Sequence, residues 1–105
     1  MPGVDLNYFI RQANKLTEKI EQRKKELADE VVEGRAGDGL VVVTATGVQE
    51  IKTIKIDKKA IDPADTAMLE DLVTAAVNAA LSVSREHMQR ELGKISGGVK
   101  IPGIT

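Results

Sequence analysis

Three short runs rich in β-branched residues, EVVEGR (30–35), LVVVTAT (40–46) and EIKTIKID (50–57), are joined only by AGDG and GVQ. Connections of four and three residues are too short for the crossover that parallel strands require. The three strands must therefore run as an antiparallel meander. In the third run Ile54 and Ile56 alternate with Lys55 and Asp57, the pattern of a sheet with one wet face. The second is apolar at four consecutive positions, 40–43. That suits a central strand covered on both faces, or one face covered by a second subunit.

The stretch EGRAGDGLVVVT (33–44) crowds Gly34, Gly37 and Gly39 into its first seven positions, 33–39. A phosphate-binding loop would need Lys-Ser or Lys-Thr after the glycines and a helix to follow. Here a strand follows, and the dinucleotide pattern fails in the same way. Gly37, Asp38 and Gly39 are read as a hairpin turn supplying positive φ. Gly34, inside the first strand, marks either a bulge or a close approach of another backbone.

Helices flank the meander. Over 5–29, Leu6, Phe9, Ala13, Leu16, Ile20 and Leu27 form an a/d stripe in which Arg23 takes the one missing position. Asp5 is placed to cap it. Twenty-five helical residues would reach about 38 Å, longer than so small a body needs, so part of this helix projects or meets a partner. After the strands, Asp62 is placed to cap a second helix with Pro63 at its first position. Leu69, Leu72, Val73, Ala76, Ala80 and Val83 form its stripe, and Ala75, Ala76, Ala79 and Ala80 allow another backbone to come close. One repeat further on, the stripe turns polar with His87, Glu91 and Lys94, so this helix is expected to leave the core near Ser84. The expected fold class is α+β: helix, three-stranded antiparallel meander, helix, in a single domain over 1–96. A flexible Gly/Pro-rich tail is expected over 97–105.

At 105 residues, with Tyr8 and Phe9 as the only aromatic residues, the core is modest, and a homodimer sharing it would relieve the shortage. The absence of cysteine and the single histidine, His87, exclude disulfides, thiolate metal sites and multi-histidine metal sites. The N-terminus has no signal-peptide pattern and no apolar run approaches a membrane span. The expectation is a cytoplasmic protein with no membrane partner. His87 has no nucleophile pattern nearby and reads as a packing or interface residue. The carboxylates fit helix caps and solvated faces. No catalytic residue, cofactor, metal or small-molecule substrate is expected.

Fifteen basic and sixteen acidic residues leave a net charge of −1, so any polyanion binding must come from a local patch. Arg11, Lys15 and Lys19 recur every four residues on the first helix. Arg85, Arg90 and Lys94 lie on the part of the last helix that leaves the core. Interleaved Glu18, Glu21 and Glu26 fit a solvated face laced with ion pairs. The alternative is that Arg11, Lys15, Arg85, Arg90 and Lys94 converge on a protruding arm that, doubled in a dimer, grips duplex DNA by its phosphates. Lys52, Lys55, Lys58 and Lys59 fit sheet-edge protection. Docking of another protein on the long helices is the competing use of the arm.

The segments RQANKLTEKI, VVEGRAGDGLVVVTATG, IKTIKIDKKAI, LEDLVTAAVNAAL and GGVKIPG together resemble the YbaB/EbfC family of bacterial nucleoid-associated proteins, in order and over nearly the whole chain. The most specific parts are the hairpin at 33–43 and LEDL leading to AAVNAA at 69–80. The resemblance implies a tweezer-like homodimer with protruding helices that binds double-stranded DNA in the nucleoid without enzymatic activity, in chromosome organisation or expression control. It also implies DNA contacts near the arm tips, which here fall to Arg11 and Lys15, and to Arg85, Arg90 and Lys94. The charged first helix, NKLTEKIEQRKK, departs from the Met/Gln-rich one of many members, and the tail is short.

Overall fold

The computed structural model describes residues 5–97. The elements follow in the order α1 (Leu6–Leu27), β1 (Val31–Ala36), β2 (Val41–Thr46), β3 (Ile51–Ile56), a 3-10 turn (Lys58–Ala60) and α2 (Thr66–Ile95). The sheet is the expected antiparallel meander, in the order β1-β2-β3. Beyond Gly97 the tail expected over 97–105 lies outside the described residues.

Each turn has its local cause. Gly37, Asp38 and Gly39 all have positive φ (61°, 55° and 89°), and Leu40 N–H closes the β1–β2 turn on the Gly37 carbonyl at 3.2 Å. Asp5 caps α1, its carboxylate accepting the N–H groups of Asn7 and Tyr8. The start of α2 differs from expectation. Asp62 and Pro63 take the first two positions of a turn, with Asp65 N–H bonding back to the Asp62 carbonyl at 2.9 Å. This is the arrangement Asp-Pro favours. Asp65 then caps the helix through Met68 N–H at 3.1 Å.

Gly34 marks a close approach. A Cβ there would stand 2.2 Å from the Ala80 nitrogen and 2.7 Å from the Ala76 carbonyl oxygen, so the α2 backbone rests directly on β1. Ala76 and Ala80 are fully buried with Val41, Val43 and Ala45 of β2, and Val32, Ala36, Leu69, Leu72, Val73 and Val77 pack around them. The irregularity considered for Gly34 lies instead between β2 and β3, where the register shifts at Thr44/Ala45. The central part of α2 is apolar and long enough to cross a membrane, more than the sequence reading allowed. In this fold its small-residue face is committed to the sheet.

Only one face of β2 is covered: Val41, Val43 and Ala45 are buried, while Val42, Thr44 and Thr46 are half-exposed. Ile56 and Ile54 pair with Val41 and Val43, and Ile51 with Ala45, so all three share the helix-side face. They are nevertheless exposed, because α2 packs chiefly on β1 and β2. The dry face expected of β3 is uncovered within one protomer.

α2 does not leave the core at Ser84, as the polar stripe suggested; it exchanges one partner for another. Ser84 is fully buried, its hydroxyl donating to the Thr46 carbonyl at 2.7 Å and accepting from Gln49 N–H at 2.9 Å. Beyond it Leu92 is buried again, and residues 84–95 run along α1. Arg23 meets Glu91 and Ile95 lies beside Lys15 and Lys19, so the two helices are antiparallel. The molecule is 77 Å long and 20 by 16 Å across.

Gly34→Ala is expected to destabilise the fold by about 3 kcal/mol or more, since the neighbour that must move is helix backbone. Gly93→Ala, where an added Cβ meets nothing within 4 Å, is expected to stabilise it by up to about 1 kcal/mol. Urea denaturation of the two variants checks both.

Candidate nucleic-acid interface

The arm is built in two stages. Near the sheet it is a helix pair held by charge. Arg23 Nη1 donates to Glu30 at 2.5 Å and Nη2 to Glu91 at 2.6 Å, with Glu26 at 3.5 Å. His87 Nε2 lies 2.8 Å from Glu30, and the Lys94 ammonium 2.5 Å from Glu91. This hub ties α1, the α1–β1 junction and α2 together where Arg23 interrupts one apolar stripe and His87 and Glu91 interrupt the other. The two carboxylates hold the Arg23 guanidinium pKa well above its ordinary value. Glu30 is held below the usual carboxylate range by Arg23 first and His87 second. Glu91 is lowered to about 2 by Lys94 and then Arg23.

Farther out, the arm among the described residues is α1 alone. α2 ends at Ile95, four residues past Glu91, whereas α1 continues from Arg23 back to Leu6. At 1.5 Å per residue α1 outreaches α2 by roughly 20 Å, and every residue over 5–15 is exposed.

The six expected contact residues are all exposed, but they do not converge on one tip. Arg11, Lys15 and Lys19 form a line along one side of α1. Arg85 lies at the arm's base, with Arg90 and Lys94 farther out on α2. From Arg85 to Arg11 the row extends over roughly 27 Å. Arg85 and Arg90, five residues apart, point about 140° apart around the helix. Among the described residues Arg11, Lys15, Lys19, Arg85 and Arg90 have no carboxylate within ion-pair distance, whereas Lys94 is paired with Glu91. Lys52 and Lys55 lie on the edge strand β3, while Lys58 and Lys59 belong to the 3-10 turn capped by Asp57.

An open groove of about 520 Å³ runs between α1 and the end of α2, lined by Lys15, Glu18, Lys19, Gln22, Arg23, Glu26 and Ile95. Its two acids, Glu18 and Glu26, are eight residues apart on one helix, roughly 12 Å. That is wider than the spacing of a glycosidase-type acid pair. His87 serves the hub as a packing residue.

The hub makes stability acid-sensitive. Glu91 and Glu30 bind a proton less readily folded than unfolded, so acid protonates the unfolded chain first. Their contribution is complete above about pH 5 and declines as pH falls through the ordinary carboxylate range toward the folded Glu91 value of about 2. Glu91→Gln is expected to flatten the acid limb of melting temperature against pH, measured by circular dichroism.

With this geometry in place, comparison with known proteins is informative. The model of the YbaB/EbfC DNA-binding family matches residues 1–99. A nucleoid-associated protein of Myxococcus xanthus is 79% identical over 105 residues, covering 100% of both chains. One from an Anaeromyxobacter species is 48% identical over 102 residues, 97% of this chain and 99% of that one. The crystal structure of an uncharacterized protein from Helicobacter pylori superposes with a TM-score of 0.79 at 17% identity, covering 90% of this chain and 100% of that one. At that identity it speaks for the fold alone. A helix, a three-stranded meander and an outreaching helical arm thus accompany a match over nearly the whole sequence: the chain belongs to the YbaB/EbfC DNA-binding family.

Proposed function

We propose that the protein is a nucleoid-associated, dimeric DNA-binding protein that holds duplex DNA mainly through phosphates, with little sequence selectivity, in chromosome organisation or expression control. The observation that carries this reading is the row of exposed cations along the arm: Arg11, Lys15 and Lys19 on α1, Arg85 and Arg90 on α2, none of them ion-paired among the described residues. Steps of about 6 Å along a straight helix suit successive backbone phosphates better than the edges of one base pair. Lys94, already engaged by Glu91, contributes less. The nucleoid-associated names of the relatives support a place on the chromosome.

A second copy is the partner that suits the sheet. Ile51, Ile54 and Ile56 lie exposed on the face that α2 covers elsewhere, and an apolar face of this kind is stable in water when another subunit closes it. Two protomers joined there would carry two arms.

Arg85→Glu with Arg90→Glu is expected to weaken binding to unrelated duplexes with little change in folding. The slope of log affinity against log salt should flatten by about 0.9 for each phosphate that the variant no longer neutralises. Fluorescence anisotropy across a salt series reads both, and unchanged affinity would remove these residues from the interface. Ile54→Lys is expected to halve the mass measured by light scattering while circular dichroism stays that of a folded chain.

A further inference from the structure

The outermost three turns of α1 differ in composition from the rest of that helix. Residues 6–17, LNYFIRQANKLT, contain no acid, although acids make up 16 of the 105 residues and Glu18, Glu21 and Glu26 follow at once. The acid-free stretch falls almost wholly on the part of α1 that outreaches α2. The nearest carboxylate, Asp5, is turned onto the helix terminus by its bonds to Asn7 and Tyr8 N–H. On one side of this tip Leu6, Phe9 and Ile10 are 71%, 55% and 56% exposed. They continue the stripe that α2 covers farther in, beyond the point where α2 stops. The Tyr8 ring stands edge-on to Phe9 at 5.6 Å and 81°, a favourable aromatic arrangement.

We infer that this tip is a minor-groove wedge: Phe9, flanked by Leu6 and Ile10, enters between base pairs of duplex DNA and kinks it, while Asn7, Arg11 and Gln12 line the groove. The inference rests on the DNA-binding reading above and extends it from phosphate contact to deformation of the duplex. Two features favour this occupant over another protein helix. A helix docking surface alternates charges beside its apolar stripe, whereas here the flanks are cationic or amide only, complementary to a polyanion. Arg, Asn and Gln beside exposed Phe, Leu and Ile are also the side chains with which minor-groove proteins read the groove and unstack a step. A protein working this way prefers pyrimidine–purine steps because they unstack at least cost.

The test uses the full-length protein and a duplex of about 25 base pairs with one central TpA step, the scale on which such bends are resolved. The adenine is replaced by 2-aminopurine and a donor–acceptor pair is attached at the ends. Anisotropy reads binding; energy transfer and 2-aminopurine fluorescence read the kink. The wild type should bind, bring the ends closer and raise 2-aminopurine fluorescence. Phe9→Ala should still bind but lose both signals. Phe9→Leu should keep them, and Arg11→Ala should weaken binding while the bound duplex stays bent. A bound duplex that stays straight, or a Phe9→Ala complex as bent as the wild type, overturns the wedge and leaves phosphate binding standing. A fall in mass on Phe9→Ala, read by light scattering, also overturns it by assigning the stripe to self-association. No anisotropy change at any salt removes the DNA reading and the wedge with it.

Discussion

The absence of a side chain at Gly34 sets the position of nearly everything else. With the α2 backbone resting on β1, the helix presents alanines rather than large residues, and its line over the sheet is fixed at β1 and β2. Two consequences follow. The core contains small buried residues at close range instead of a few bulky ones, which is how a chain with two aromatic residues closes a protomer. The helix only grazes β3, so Ile51, Ile54 and Ile56 are left on a face that is apolar yet open.

Because α2 is longer than the sheet it crosses, its second half needs another partner, and the manner of attachment changes at Ser84. Toward the sheet the contact is apolar and closely packed. Away from it a planar guanidinium joins carboxylates from two elements, and its fixed fork demands one relative position of α1 and α2. Apolar packing alone would tolerate sliding of one smooth helix along another. Partly exposed ion pairs add modestly to stability, so the hub contributes chiefly register, setting how far α1 projects beyond α2.

The backbone was legible because its signals are local. Short connectors forced the meander, Gly-Asp-Gly made the hairpin, and the alanine cluster with Gly34 signalled a close approach. What was not legible depended on which elements meet. Asp62 and Asp65 both look like caps, and only the turn made by Asp62 and Pro63 decides between them. Ile54 and Ile56 do share the helix-side face, but they are exposed rather than dry, and no period along β3 reveals where α2 lies. The hub left a trace in the sequence: Arg23 breaks one apolar stripe, and His87 and Glu91 break the other with groups that can answer it. Reading the interruptions as solvent exposure missed that two interrupted stripes can face each other. Of the expected contact residues, the line on α1 followed from spacing alone, whereas the pairing of Lys94 with Glu91 and the position of Arg85 at the arm's base required the structure.

A net charge of −1 argues against polyanion binding only if acids and bases are mixed at random, and here they are sorted. Asp57, Asp62 and Asp65 accept backbone N–H groups around the entry to α2, at the end of the molecule remote from the arm. Glu26, Glu30 and Glu91 surround Arg23. Their charges are directed inward or away, and the hub draws Lys94 in with them. Among the cations left exposed are those farther out on α1 and on the outer faces of α2. Salt screens interactions beyond about 8 Å under physiological conditions, so a phosphate at the α1 tip responds to Arg11 and Lys15 far more than to the acids of the hub and of the entry to α2. Neutrality of the whole chain and a cationic tip are therefore compatible, because residues 6–17 carry no acid and these six acids are placed where the fold itself uses them.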